Sequence, residues 1–100
     1  MKSMKLEFWK AKDLKGNEVT ESIIDILTAL LTFRDPKDLP RGFKQALIFS
    51  RILKAFENKK ELMLDDEDYN FLKEIVDTDT PAIWGSNKNA MDALTKFNSL

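Results

Sequence analysis

The chain has 100 residues, of which 43% are hydrophobic and 33% charged, with a formal net charge of −1. It contains neither Cys nor His, which excludes disulfides, thiolate or imidazole metal sites, a Cys nucleophile and a His general base. This length predicts a single domain over residues 1–100 that buries about two-thirds of its unfolded surface.

Residues 5–12 place Leu6 and Phe8 on one side and Glu7 and Trp9 on the other, a period of two that predicts a strand. The 13–17 stretch, with Asp13, Gly16 and Asn17, is a turn, and residues 17–19 return as a short strand. An N-terminal hairpin of this size is marginal alone and must dock on something. Thr20 is the expected N-cap of a first helix, with Glu21 in its first turn. On that helix Ile23, Ile24, Ile26, Leu27, Leu30, Leu31 and Phe33 share one side, and Pro36 ends it by disfavouring the helical conformation at Asp35.

Residues 39–58 carry the longest apolar run with a helical period. Ala46, Ile48, Phe49, Ile52, Leu53, Ala55 and Phe56 fill about half the circumference at roughly 100° per residue. An arc that wide exceeds what one neighbour covers, so a central helix packed by several partners is expected. Residues 61–64 read as a short strand that pairs with the N-terminal hairpin. Asp65 is the expected N-cap of a third helix, with Tyr69, Phe71, Leu72, Ile75 and Val76 inward. Ala82, Ile83 and Trp84 make one helical turn, and Ser86 or Asn87 caps a last helix with Ala90, Met91, Ala93, Leu94 and Phe97 on one side. The fold class is therefore α-rich α+β: about four helices packed on the central one, with a small antiparallel sheet from the hairpin and residues 61–64.

Charge is segregated along the chain. Residues 34–60 hold eight basic side chains against three acidic ones, and residues 65–79 hold seven acidic against Lys73 alone. Asp66, Asp68, Asn70 and Asp77 fall at calcium-loop spacings, but Phe71 takes the position that demands Gly. A capped helix explains every residue there, so no metal is assigned. Lys44, Arg51 and Lys54 form a basic stripe on the 39–58 helix, preceded by Arg34, Lys37 and Arg41. A phosphate grip would use such a stripe, yet a solvated face is the simpler account of it. Phe43 and Leu47 lie within or beside it, and an apolar pair among cations fits a protein interface or packing under the hairpin better than a phosphate site. Trp84 either anchors a partner or plugs a helix corner, the plug being the simpler reading. No Gly-rich phosphate loop or nucleophile elbow is present, and no enzyme is expected.

A turn-containing segment at 13–19, an Ile/Leu-rich helix, and a longer helix ending Arg51-Ile52-Leu53-Lys54-Ala55-Phe56 follow one another. After them come Glu61-Leu62-Met63-Leu64-Asp65 and a helix holding Phe71-Leu72-Lys73-Glu74-Ile75-Val76. This order resembles small proteins of tailed-phage and prophage genomes. The likeness spans nearly the whole chain but departs at Trp84-Gly85-Ser86-Asn87. It assigns no activity and no functional residue; it implies a protein partner in a virion or an infected cell.

The functional expectation is a non-enzymatic protein-interaction module, a phage assembly factor or a modulator of a host protein, binding through Phe43, Lys44, Leu47, Arg51 and Lys54. The alternative is a nucleic-acid-binding regulator that uses the basic stripe. No cofactor and no membrane contact are expected. The N-terminal stretch lacks a signal-peptide core, and residues 23–33 are too short and interrupted for a membrane span. The location expected is the cytoplasm, that of the host cell if phage-encoded, or else the virion.

Overall fold

In the computed structural model, residues 1–32, 37 and 40–100 are described. The element order is β1 (Lys2–Lys5), β2 (Trp9–Lys12), β3 (Glu18–Glu21), α1 (Ile23–Thr32), α2 (Phe43–Ala55), β4 (Glu61–Leu64), α3 (Asp66–Asp79), a 3-10 helix (Ala82–Ser86) and α4 (Lys88–Asn98). This is the helix-rich α+β fold that the apolar periods imply. The expected contribution of Phe33 to α1, its stop at Asp35 and Pro36, and the start of the second helix at Leu39 lie outside the described residues.

The strands form two antiparallel pairs rather than one sheet, β2 with β3 and β1 with β4. The expected strand at 61–64 exists, but its partner is the segment before the hairpin, with Met4 opposite Leu62 and Lys5 opposite Glu61. The cause is a break in strand parity. Met4 and Leu6 turn inward on one side of the break, Trp9 and Ala11 on the other, and Phe8 between them is 58% exposed. One extra residue flips the face. The Leu6 N–H donates to the Lys60 carbonyl at 3.0 Å, extending the β1–β4 pairing past its last residue pair. Gly16 takes the positive φ of 83° that the hairpin turn requires, and Asp13 Oδ1 accepts from the N–H groups of Lys15 and Asn17.

Thr20 is not a cap, because β3 runs on to Glu21 and opposes Thr20 to Lys10. Ser22 takes that place: its Oγ accepts from Ile24 N–H while Asp25 Oδ2 accepts from Ser22 N–H, a reciprocal arrangement that satisfies two otherwise orphaned donors. Asn87 caps α4 through Oδ1, accepting from Ala90 N–H at 3.1 Å. Asp65 occupies the N-cap position of α3, but its side chain makes no capping bond.

The middle of the core is α3, not α2. Each of the other three helices packs on α3, and Leu72 at its centre is wholly buried, in one core cluster with Leu27 of α1, Leu62 of β4 and Phe97 of α4. Tyr69 fastens α3 to the end of α4, its hydroxyl donating to the Phe97 carbonyl at 2.8 Å and its ring 5.1 Å from that of Phe97. On α2 only Ile48 and Ile52 are buried. The wide arc of α2 meets α3 and β4; Phe49, Ala55 and Phe56 pack partly buried against the core, and Ala46 and Leu53 are left exposed. Trp84 is half-buried and packs against the core, whereas Ile83 beside it is 79% exposed.

Leu72→Ala is expected to lower the unfolding free energy by about 2–5 kcal/mol through the cavity it leaves. Leu53→Ala on α2 is expected to stay within about 0.5 kcal/mol of the parent. Urea denaturation followed by far-ultraviolet circular dichroism separates the two; equal losses would restore α2 to the centre.

Candidate functional site

α2 begins at Gly42, whose φ of 109° is open to glycine at little cost. The Gly42 carbonyl accepts the first helical hydrogen bond, from Ala46 N–H at 3.0 Å. Beyond Phe56, Asn58 Oδ1 accepts from the N–H groups of Lys60 and Glu61 and turns the chain into β4. Lys54 in the last turn complements the carbonyl end of the helix dipole.

The five residues expected to bind, Phe43, Lys44, Leu47, Arg51 and Lys54, do share one flank of α2, since they recur at spacings of three and four. Their environments differ. Phe43 is 80% and Leu47 43% exposed. Arg51 is turned towards α3. Its Nε stands 3.2 Å from both carboxylate oxygens of Asp68, and its Nη2 reaches Asp68 Oδ1 at 2.7 Å and Glu67 Oε1 at 2.9 Å. The bond to Asp68, then the one to Glu67, pushes the guanidinium pKa further up from its already high range, so Arg51 stays charged throughout. Lys44 Nζ lies 4.0 Å from Glu67 Oε2, an exposed contact of little energetic weight. Lys54 borders a shallow depression with Arg51, Met63, Asp65 and Asp68.

Asp68 is the residue that the sequence reading missed. A capped helix accounts for it in the sequence without any partner, yet its side chain is only 5% exposed. A signal was present: Asp68, Leu72, Ile75 and Val76 fall on one helical stripe, and the last three are core residues. The same placement answers the calcium reading, because α3 runs unbroken from Asp66 to Asp79 and Asp68 is spent on Arg51.

The outward face of α2 is apolar to a degree the helical wheel did not anticipate. Leu53, assigned to the buried arc, is 43% exposed, Ala46 is exposed, and Phe49 is half-buried. A depression of about 380 Å³ opens between Pro40, Gly42, Ala46 and Phe49 and reaches Phe71 of α3. A periodic pattern shows which residues disfavour water, not whether a neighbour arrives to cover them. A second, smaller cavity of about 140 Å³ lies on the other side of the fold, between the β1–β2 link and α4, lined by Met4, Phe8, Trp9, Asp92 and Lys96 among others. Glu7 and Lys96 close its rim with hydrogen bonds of 2.9 Å, and the buried Nε1–H of Trp9 has no acceptor among the described residues. None of the expected binding residues touches it.

Because Asp68 is buried and Arg51 half exposed, losing Arg51 strands a carboxylate, whereas losing Asp68 leaves a cation that water can reach. Arg51→Ala is therefore expected to lower the urea midpoint more than Asp68→Ala does. The double variant is expected to lose clearly less than the sum of the two. Additive losses in that cycle would show the pair to be uncoupled.

Among the described residues no helix is long and apolar enough to cross a membrane. Comparisons with protein-family models, with curated proteins and with solved structures return no match to this chain, so the reading of the α2 face rests on its own geometry.

Proposed function

We propose that the chain is a non-enzymatic protein-interaction module that docks another polypeptide on the outward face of α2. The observation that carries this reading is the exposure of Phe43, Leu47 and Leu53 along one helix. Scattered apolar residues are ordinary on a surface. Three large ones on adjoining turns, beside the Ala46–Phe49 depression, make a contiguous patch of the kind that partners cover. Lys44 sits at its edge beside Glu67, and Lys54 stands next to Leu53 at its C-terminal end. Phe43, Leu47 and Leu53 supply the contact, and Arg51 holds the helix against α3 from its flank.

The commitment of Arg51 to Asp68 and Glu67 also favours this reading over a nucleic-acid regulator. A guanidinium already bonded to two carboxylates is poorly placed to neutralise a phosphate, and two lysines remain of the stripe. The resemblance to small tailed-phage proteins points to an assembly factor or a modulator of a host protein as the setting.

Immobilised chain incubated with lysate of the native host is expected to retain at least one protein. A Phe43→Asp/Leu47→Asp bait with the parent's unfolding midpoint is expected not to retain it. Identical retention by both baits would remove α2 from the interface. Steeply salt-dependent binding of the parent chain to mixed-sequence DNA would instead favour the regulator.

A further inference from the structure

We infer that the cavity between the β1–β2 link and α4 is a binding site for a methylated ammonium group, an organic cation that water solvates weakly. The site shares no residue with the α2 face and does not depend on it.

Two features of the sequence build the cavity. Asn89, Asp92, Ala93 and Lys96 recur at the three-four spacing that places residues on one stripe of a helix, and the small side chain of Ala93 leaves room in the middle of that stripe. Opposite α4, the break in strand parity brings Phe8 and Trp9 to the same cavity. Met4, Ile23 and Ala93, each buried or half-buried, form an apolar floor, and Glu7, Phe8, Asp92 and Lys96 are the exposed rim. The volume is about 140 Å³. A cavity of about 150 Å³ admits benzene, so this one suits a group of about six non-hydrogen atoms.

Charge selects a cation. Glu7 and Lys96 neutralise each other through two hydrogen bonds of 2.9 Å. Asp92 has no partner among the described residues; neither Lys88 nor Lys96, one turn to either side of it on α4, forms an ion pair with it. The lining is left with an uncompensated carboxylate. An anion would meet Asp92 and a lysine already bonded to Glu7.

The walls select the kind of cation. The Nε1–H of Trp9 is closed off from solvent, so what the indole offers a ligand is carbon, and Phe8 beside it is 58% exposed. Two aromatic side chains with a carboxylate at the rim suit a cation whose charge is spread over methyl groups. A bare metal ion lacks ligands, since no group of three acidic side chains is assembled among the described residues. An unmethylated ammonium has three donors to satisfy, and an apolar floor offers them nothing.

Tetramethylammonium chloride is the probe, with sodium chloride at equal ionic strength as reference, and the whole isotope-labelled chain is followed by nuclear magnetic resonance. Saturable shifts are expected at the Trp9 indole N–H, at Phe8 and along α4 from Asn89 to Lys96, with a dissociation constant of about 1 mM. Asp92→Asn is expected to weaken binding at least about fivefold. Phe8→Leu, which keeps the bulk and removes the ring, is expected to weaken it about two- to fivefold. Both positions are exposed, so the unfolding midpoint is expected to stay that of the parent. A trimethyllysine peptide and free phosphocholine carry the same group. Tighter binding of the peptide supports the site with a protein side chain as its ligand, and tighter binding of phosphocholine supports it with a small molecule or headgroup.

Absence of saturation up to about 20 mM, well above the expected constant, overturns the site. Shifts that saturate on other elements do so too. Unchanged affinity in Asp92→Asn, or the same shifts produced by sodium acetate, overturns the choice of a cation.

Discussion

A carboxylate taken almost wholly out of water needs a cation, and in this fold the need of Asp68 is met by Arg51. The bond is bidentate and charge-assisted, with Nη2 at 2.7 Å, and it crosses from α2 to α3. Hydrophobic contact between two helices leaves their rotation about the long axis loosely determined, because neighbouring rotations bury similar areas. A planar guanidinium gripping a carboxylate does not. With Arg51 held against α3, Ile48 and Ile52 fall inward, and Phe43, Ser50 and Leu53 are turned to solvent. The exposed face is thus a consequence of a polar contact on the flank of the helix next to it.

The distribution of the core explains why α2 has apolar surface to spare. α1 buries Ile23, Ile26, Leu27, Leu30 and Leu31, α4 buries Ala90, Ala93, Leu94 and Phe97, and β4 adds Leu62 and Leu64. All converge on α3, which presents Tyr69, Leu72, Ile75 and Val76. A 100-residue chain encloses only a limited interior. Once α3 is surrounded by α1, α4 and β4, the place left for α2 is at the margin, where Ile48 and Ile52 are buried and Phe49, Ala55 and Phe56 only partly so.

Element types were largely legible in the amino-acid order, since periods of two and 3.6 are local. The α1 stripe, the inward set of α3 and the Asn87 cap follow from spacing and side-chain chemistry alone. Three features were not legible, each for a separate reason. The partner of residues 61–64 depends on where strand parity breaks, and Phe8 reads as a continuing strand because its own side chain is apolar. The first helix cap is ambiguous because cap signals recur at Thr20 and Ser22, and only pairing with Lys10 removes the former. The burial of Asp68 is hidden because a capped helix already accounts for an acidic residue at that position. The five residues proposed for the site were readable as one helical stripe, but the division between them was not, because the carboxylates that claim Arg51 belong to an element sixteen residues further on.

The margin that α2 occupies links the stability of the fold to whatever lies on it. A helix at the edge of the fold, held by Ile48 and Ile52, by the partly buried Phe49, Ala55 and Phe56 and by one ion-paired network, has fewer apolar contacts to lose on opening than the α1–α3–α4 centre. Anything that binds the ordered α2 face and not the opened one raises that cost in proportion to the logarithm of its concentration. Coverage of Phe43, Leu47 and Leu53 therefore does more than hide apolar area from water. It holds in place the turn of helix on which Arg51 sits, and through Arg51 it keeps Asp68 paired, so that a contact on the outer surface reaches a buried carboxylate one helix further in.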